Sequence, residues 1–341
     1  MNKAYHETLP KNYFYGLYQK VSKSLNHGEN VCISVLYGCG VKTSFNFLYN
    51  HLKKSKNFEA IDIYDPEIKD LDLVTFVSKV NRKKSRLIII RFFENLKNKR
   101  EVLEKIDSFR RPNPASLVFL VIADHTAITE PENYTAISTV FFSDIIYLTP
   151  YSYNQTILMI GTLTSYYGWS INKNLHKKIF ILSGGVPRFI KYLCKEVSES
   201  FNPIDNLEKI ILSPQINFQL ELMVKLLITM PSKKLQILGI VDNKNTIKSK
   251  LLKYYYNNYR SPIITNLYPK LTESESKLLT YILVGGGVVS IDKIADLIKM
   301  SDEDFSLWAI YKLISRLKPK IKNNFKIKNL KGKGYYLEKV T

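Results

Sequence analysis

The chain has 341 residues, 45% of them hydrophobic and 23% charged, with 50 Lys and Arg against 30 Asp and Glu for a formal charge of +20. That length suits two or three soluble domains with proper cores, and the longest apolar runs, 117–123 and 87–90, are far too short to cross a bilayer. The opening MNKAYHETLPK lacks the apolar stretch of a secretory signal, which points to a cytoplasmic protein with no membrane partner. Cys32, Cys39 and Cys194 show no metal spacing and read as reduced thiols, and no His/Cys or His/Glu cluster suggests zinc. The charge is mostly Lys in a chain rich in Asn, Ile and Tyr and poor in Arg and Ala. An AT-rich genome writes ordinary proteins this way, so where the charge sits matters more than its total.

Taken in order, residues 13–29 carry apolar positions at helical spacing, followed by a strand over 31–37, a glycine turn and a helix over 43–54. A strand at 60–64, a helix near 73–80, a strand at 87–92, a helix near 99–109 and strands at 117–123 and 140–148 complete the alternation. Buried strands interleaved with amphipathic helices predict an α/β three-layer domain on a mostly parallel sheet over residues 1–150.

The turn after the first strand reads Gly38-Cys39-Gly40-Val41-Lys42-Thr43. Such a turn aims backbone amides and a helix N-terminus at a phosphate, and the Lys adds charge. It resembles the phosphate loop of AAA+ and STAND-type P-loop ATPases. Val41 and Leu36 stand where the strict pattern has glycines. The run Leu87-Ile88-Ile89-Ile90 resembles the second nucleotide strand, which should end in acids that hold magnesium; here it continues Arg91-Phe92-Phe93-Glu94, with Arg91 in the magnesium-acid position and Glu94 the candidate substitute. The strand ending in Asp124-His125 resembles the one carrying a polar sensor, and Ser183-Gly184-Gly185-Val186-Pro187-Arg188 resembles the Gly-x-Pro signature of STAND ATPases. The resemblance, over about residues 12–200, implies a degenerate P-loop ATPase-like module. It implies an ATP or ADP site lined by Gly38, Gly40, Lys42, Thr43, Glu94 and Pro187. The same departures argue against hydrolysis, so no catalytic residue is assigned. The plain alternative is that the glycines make only a tight strand-helix turn.

Residues 151–262 read as a helical lid and linker region, with breaks at 184–187, 203, 213–214 and 231 and a linker or lead-in strand over 261–272. Tyr254, Tyr255, Tyr256 and Tyr259 could stack on bases, but such a cluster more often packs one helix on another. His125 reads as a structural loop residue.

From 263 to 341 the pattern is three helices and a hairpin. Thr272 and Glu275 form a capping box, glycines at 285–287 end the first helix, and a polar turn at 301–304 precedes the third. Two strands follow, 325–329 and 334–339. Between 312 and 333 every charged residue is basic, although the turn just before the third helix is acidic. Ile310, Leu313, Ile314 and Leu317 make a buried stripe, leaving Lys312, Ser315, Arg316 and Lys318 on the other face. Pro319 removes a backbone donor and should kink or end the helix. A basic helix front beside a basic two-stranded loop suits a major groove and its phosphates; the competing reading is a solvated Lys-rich face.

Four motifs in order carry a resemblance: Leu271-Thr272-Glu273-Ser274-Glu275, Val288-Val289-Ser290, Ile314-Ser315-Arg316-Leu317-Lys318, and Lys331-Gly332-Lys333-Gly334-Tyr335. They resemble the OmpR/PhoB-type winged helix-turn-helix of bacterial response regulators. The resemblance implies duplex DNA as partner, with Lys312, Ser315, Arg316 and Lys318 at the recognition helix, Asn329, Lys331 and Lys333 at the wing, and Tyr335 anchoring it. Lys replaces the family's Arg at 318 and 331, which weakens bidentate base reading. The whole chain therefore reads as a DNA-binding transcriptional regulator with an ATPase-like regulatory or oligomerisation module, able to form a homo-oligomer on DNA. The alternatives are a replication-initiator-like AAA+ protein or a STAND-type signalling ATPase whose winged helix docks DNA or protein. No acidic cluster of a phospho-acceptor receiver lies in residues 1–150.

Overall fold

A computed structural model describes residues 4–68, 70–81, 84–199, 204–285, 287–298 and 306–340. The chain divides into two compact units, one running to Asp205 and including Ile237–Ile240, the other made of Asn206–Gln236 and Val241–Thr341.

The first unit alternates as its hydrophobic pattern demands: α1 (Tyr15–Asn26), β1 (Val31–Val35), α2 (Val41–Ser55), β2 (Ala60–Tyr64), α3 (Leu73–Ser78), β3 (Arg86–Ile90), α4 (Lys99–Arg110), β4 (Leu117–Ala123), α5 (Thr126–Thr129) and β5 (Asp144–Leu148). Three helices follow, α6 (Tyr153–Tyr167), α7 (His176–Ser183) and α8 (Pro187–Glu199). Among the described residues the strands form one five-stranded sheet in the order β2-β3-β4-β1-β5, every pairing parallel. Position in the sheet explains the composition of each strand. Every residue of β1 and β4 is buried, because helices cover both faces of a central parallel strand. The edge strands β2 and β5 are only half-buried and tolerate Asp62 and Asp144. The strand expected over 140–148 begins at Asp144; Phe141 instead packs against Phe119, and Phe142 against Phe141, in the core.

The second unit holds α9 (Leu207–Ile211), α10 (Pro214–Thr229), α11 (Ser232–Ile237), α12 (Lys250–Leu267), α13 (Glu273–Gly285), α14 (Ile291–Leu297), α15 (Leu307–Ile321) and the antiparallel hairpin of β6 (Phe325–Leu330) and β7 (Gly334–Lys339). Two expectations are corrected. Residues 261–267 are neither linker nor strand but the last turns of α12, with Pro262 inside it. Likewise α15 does not end at Pro319 but runs on to Ile321. Both prolines lie on exposed turns, and the carbonyls they leave unbonded, at Asn258 and Ser315, belong to exposed residues that water can reach. Buried Ile263, Ile264 and Ile321 hold the turns beyond them against the core. The acidic turn 301–304, and Gly286 of the glycine run, lie outside the described residues.

The three-helix-and-hairpin arrangement is held by local chemistry. Thr272 and Glu275 make the expected box: the Thr272 amide donates to Glu275 Oε2 at 2.7 Å and the Glu275 amide to Thr272 Oγ1 at 3.4 Å. Ser290 and Ser306 cap α14 and α15 through their hydroxyls. Lys339 at the end of β7 is drawn inward, its Nζ donating to the carbonyls of Leu227 at 2.6 Å and Met230 at 2.7 Å where α10 finishes. Burial pushes this ammonium down to about 8, and two orphan carbonyls of a helix end are its compensation.

Candidate nucleic-acid interface and phosphate turn

On α15, Ile310, Ile314, Leu317 and Ile321 are buried while Lys312, Ser315, Arg316 and Lys318 are exposed, as their spacing requires. The helix packs against β6, which starts four residues after the helix ends. In β6 Phe325 and Ile327 point inward and Lys326 and Lys328 outward, the period of two of a half-buried strand. Asn329, Lys331 and Lys333 sit exposed at the tip, where the Lys333 amide closes the turn on Leu330 O at 2.9 Å.

The basic residues are not equivalent. Lys320 is spent inside the unit: its Nζ donates to both carboxylate oxygens of Glu275, at 2.8 and 2.6 Å, and Glu275 is only 1% exposed. Burial raises that carboxyl, but the bonds from Lys320 and from the Thr272 amide outweigh it and leave the pKa below the ordinary value. Lys328 is paired with Glu338 at 3.6 Å. Among the described residues no carboxylate pairs with Lys312, Arg316, Lys318, Lys331 or Lys333. Tyr335 differs from the rest of its set, being buried at 6% exposure. Its backbone exchanges hydrogen bonds with Val289, N to O at 2.9 Å and the reverse at 2.7 Å, an isolated antiparallel bridge beside the hairpin. Tyr335 therefore orients the wing from inside.

In the first unit Gly38 and Gly40 both take left-handed backbone, φ of 86° and 81°, and Gly40 caps α2. Lys42 is exposed and Thr43 half-buried in the first turn of that helix, beside its unbonded amides. The structure brings the glycine signature before α8 to this turn: the Arg188 amide donates to Gly38 O at 3.1 Å, and Pro187, buried, opens α8 next to it. The close approach needs Gly185, whose carbonyl accepts from the Tyr151 amide at 2.7 Å and whose added Cβ would lie 2.0 Å from Tyr151 O. A cavity of about 550 Å³ adjoins the turn, lined by Cys39, Tyr147, Thr149 and Tyr151 with Asn12 and Leu17. Neither Tyr151 nor the N-terminal segment carries a sequence mark that would have assigned it to this place.

Beyond the strand ends, Glu94 accepts from the Asp124 amide at 3.2 Å and the Ser34 hydroxyl donates to Asp124 O at 2.8 Å, linking the ends of β3, β4 and β1. Burial raises the Glu94 pKa, with the Asp124 carboxylate adding to it. Arg91 fills the position where a magnesium-holding acid would stand. Its guanidinium lies 3.4 Å from buried Asp65 at the end of β2 and 4.9 Å from the Phe45 ring on α2, a packing role. Asp65 was not singled out in the sequence. No group of three or more His, Cys, Asp or Glu able to hold a metal exists among the described residues. The glycine turn, with the unbonded amides that open α2 and the exposed Lys42, is a candidate phosphate site.

The remaining sequence candidates are structural. Tyr255 is buried and stacks on Tyr259, Tyr254 donates to Glu208, and Arg260 lies over Tyr256. His125 is the residue before α5 and makes no side-chain capping bond; its Nδ1 lies 3.5 Å from Asp124. All three cysteines are buried free thiols, and burial pushes that of Cys194 up to about 12.

A parallel sheet in this order, with a glycine turn leading from β1 into α2, is a P-loop ATPase-like α/β fold, joined in the same chain to a unit with a winged hairpin. No protein-family model matches the chain, and no curated protein matches it in sequence. Similar solved structures include the RuvB Holliday junction branch migration motor of Thermotoga maritima, 14% identical over 95% of this chain and 91% of that one with a TM-score of 0.40. Orc1 of Aeropyrum pernix, solved in complex with DNA, is 10% identical over 96% and 89% with a TM-score of 0.41. A Walker-type ATPase of Pyrococcus abyssi is 9% identical over 94% and 92% with a TM-score of 0.43. Likeness at this level says nothing of what the chain does. Among the described residues no helix is long and apolar enough to cross a membrane.

Proposed function

We propose that this chain binds double-stranded DNA through α15 and the β6–β7 hairpin, and that the P-loop ATPase-like unit binds ATP or ADP as a regulatory or oligomerisation module without hydrolysing it. The observation that carries the DNA reading is the row of exposed cations without a carboxylate partner among the described residues, Lys312, Arg316, Lys318, Lys331 and Lys333, on a helix and the hairpin packed next to it. Transcriptional regulation is one use of such a module. The initiator-like use draws support from one feature: the winged part clusters in one compact unit with α9, α10 and α12, and Lys339 bonds the end of α10.

In a gel-shift titration of the full chain, Arg316→Ala is expected to lower affinity about tenfold and to blur sequence preference, since its fork can hold two acceptors of a guanine. Lys331→Ala is expected to weaken all duplexes alike and to reduce the slope of log affinity against log salt by about one. Wild-type affinity and salt slope in both variants would overturn the assignment.

Gly38, Gly40, Lys42, Thr43, Glu94 and Pro187 are the residues proposed to line the nucleotide, with the glycine turn and Lys42 at its phosphates. With Arg91 in the metal-acid position, binding of a fluorescent ADP analogue is expected to persist in EDTA and to be lost in Lys42→Ala. A titration without saturation, together with no thermal shift from ATP or ADP, would remove the nucleotide from the proposal.

A further inference from the structure

We propose that Trp308 and Tyr311 read the 5-methyl groups of thymine in the major groove, a reading that rests on the DNA function proposed above. Large apolar residues cluster on the solvent side where α15 begins: Trp308 is 68% exposed, Tyr311 48% and Leu307 45%. An exposed Trp beside two further apolar side chains is a mark of a surface built to be covered. At 100° per residue, Trp308, Lys312, Ser315 and Pro319 fall opposite the buried stripe of Ile310, Ile314, Leu317 and Ile321. Trp308 thus lies in the middle of the face that carries the candidate DNA contacts. The Lys312 ammonium rests 4.4 Å from the centre of the indole ring, holding it on that face and adding charge beside it.

The occupant must satisfy both properties of this face. It must be anionic, because Lys312, Arg316 and Lys318 have no acidic partner among the described residues. It must also present small apolar groups at the first turns of the helix. A duplex offers both: phosphates line the groove, and the thymine methyl is the apolar group exposed on its floor. Geometry then sets the spacing. Eight residues separate Trp308 from Arg316, about 12 Å along the helix axis. With base steps of about 3.4 Å, a helix lying along the groove places a thymine under Trp308 roughly three to four base pairs from a guanine under Arg316.

The test selects duplexes from a random-sequence pool with the full chain at low salt, then remakes the best one with deoxyuridine for thymine. The expected site pairs a guanine with a thymine at the stated spacing, and removing the methyl weakens wild-type binding about fourfold, the value of one buried methyl. Trp308→Ala is expected to bind the thymine duplex about as weakly as the wild type binds the uracil one, and to bind both alike, while Trp308→Phe keeps part of the difference. Because Trp308 is exposed, the variant's thermal melting should match the wild type. The proposal is overturned if wild-type protein binds the two duplexes equally, if Trp308→Ala still distinguishes them, or if Trp308→Ala loses nothing, which would assign the aromatic end to a protein partner. Absence of any duplex binding by the wild-type chain would instead overturn the DNA function itself.

Discussion

Gly334→Ala is expected to detach the wing: unfolding of the second unit should cost about 3 kcal/mol less than in the wild type, and duplex affinity should fall at least about tenfold. At Gly334 φ is 125° and an added Cβ would lie 2.0 Å from Val289 O and 2.7 Å from Val289 C, both backbone atoms that cannot move aside alone. Relief requires the β7 strand to leave Val289, which breaks both hydrogen bonds with Tyr335 and frees the hairpin that carries Lys331 and Lys333. Gly332 supplies the control. It also has a positive φ, 72°, but nothing lies within 4 Å of its added Cβ. Gly332→Ala should therefore cost only about 1 kcal/mol of backbone strain and leave DNA binding nearly intact. Urea unfolding and gel shifts on the two variants decide the matter; equal effects would show that the Val289 approach is unimportant.

Glu275→Gln is expected to destabilise the second unit by about 2 kcal/mol at neutral pH, less than for a fully buried pair because Lys320 is 29% exposed and can reach water. The pH dependence has a definite sign. The folded carboxyl titrates below its ordinary value, so its contribution is present above the unfolded pKa near 4.3 and fades as pH falls through the folded value. The gap in urea stability between wild type and Glu275→Gln should thus be constant from neutral pH down to about 5 and close below about 4. A gap that stays open in acid would show that the carboxylate charge is not what holds Lys320. The same variant frees the Lys320 charge on α15 while loosening α15 against α13, so an affinity loss despite the added charge would show how far DNA binding depends on how rigidly the helix is presented.

Much of this arrangement was legible along the chain because it is written in local patterns. The buried runs of β3 and β4, the capping box at Thr272 and Glu275, and the inside-outside split of α15 each follow from a periodicity or a short motif within a dozen residues. What misled were residues whose effect depends on their surroundings. Pro262 and Pro319 are helix breakers by intrinsic preference, yet exposed turns and buried isoleucines beyond them let both helices continue. The motif assigns Tyr335 to anchoring the wing, but the partner of its backbone, Val289, lies 46 positions away and carries no local mark. Lys320 looked like one more cation until Glu275, 45 positions away in the chain, was found beneath it.

By itself, the order of residues determined the α/β character of the first part, the glycine turn between β1 and α2, and the uninterrupted run of basic charge from 312 to 333, since these depend on short-range pattern and composition. Only the tertiary structure decided that Lys320 pairs with Glu275 and Lys328 with Glu338. It likewise brought Gly185 and Arg188 to the glycine turn through Tyr151 and Gly38, and joined the hairpin to α10 through Lys339. Each of these joins residues distant in the chain, and such contacts depend on packing geometry that no local pattern encodes.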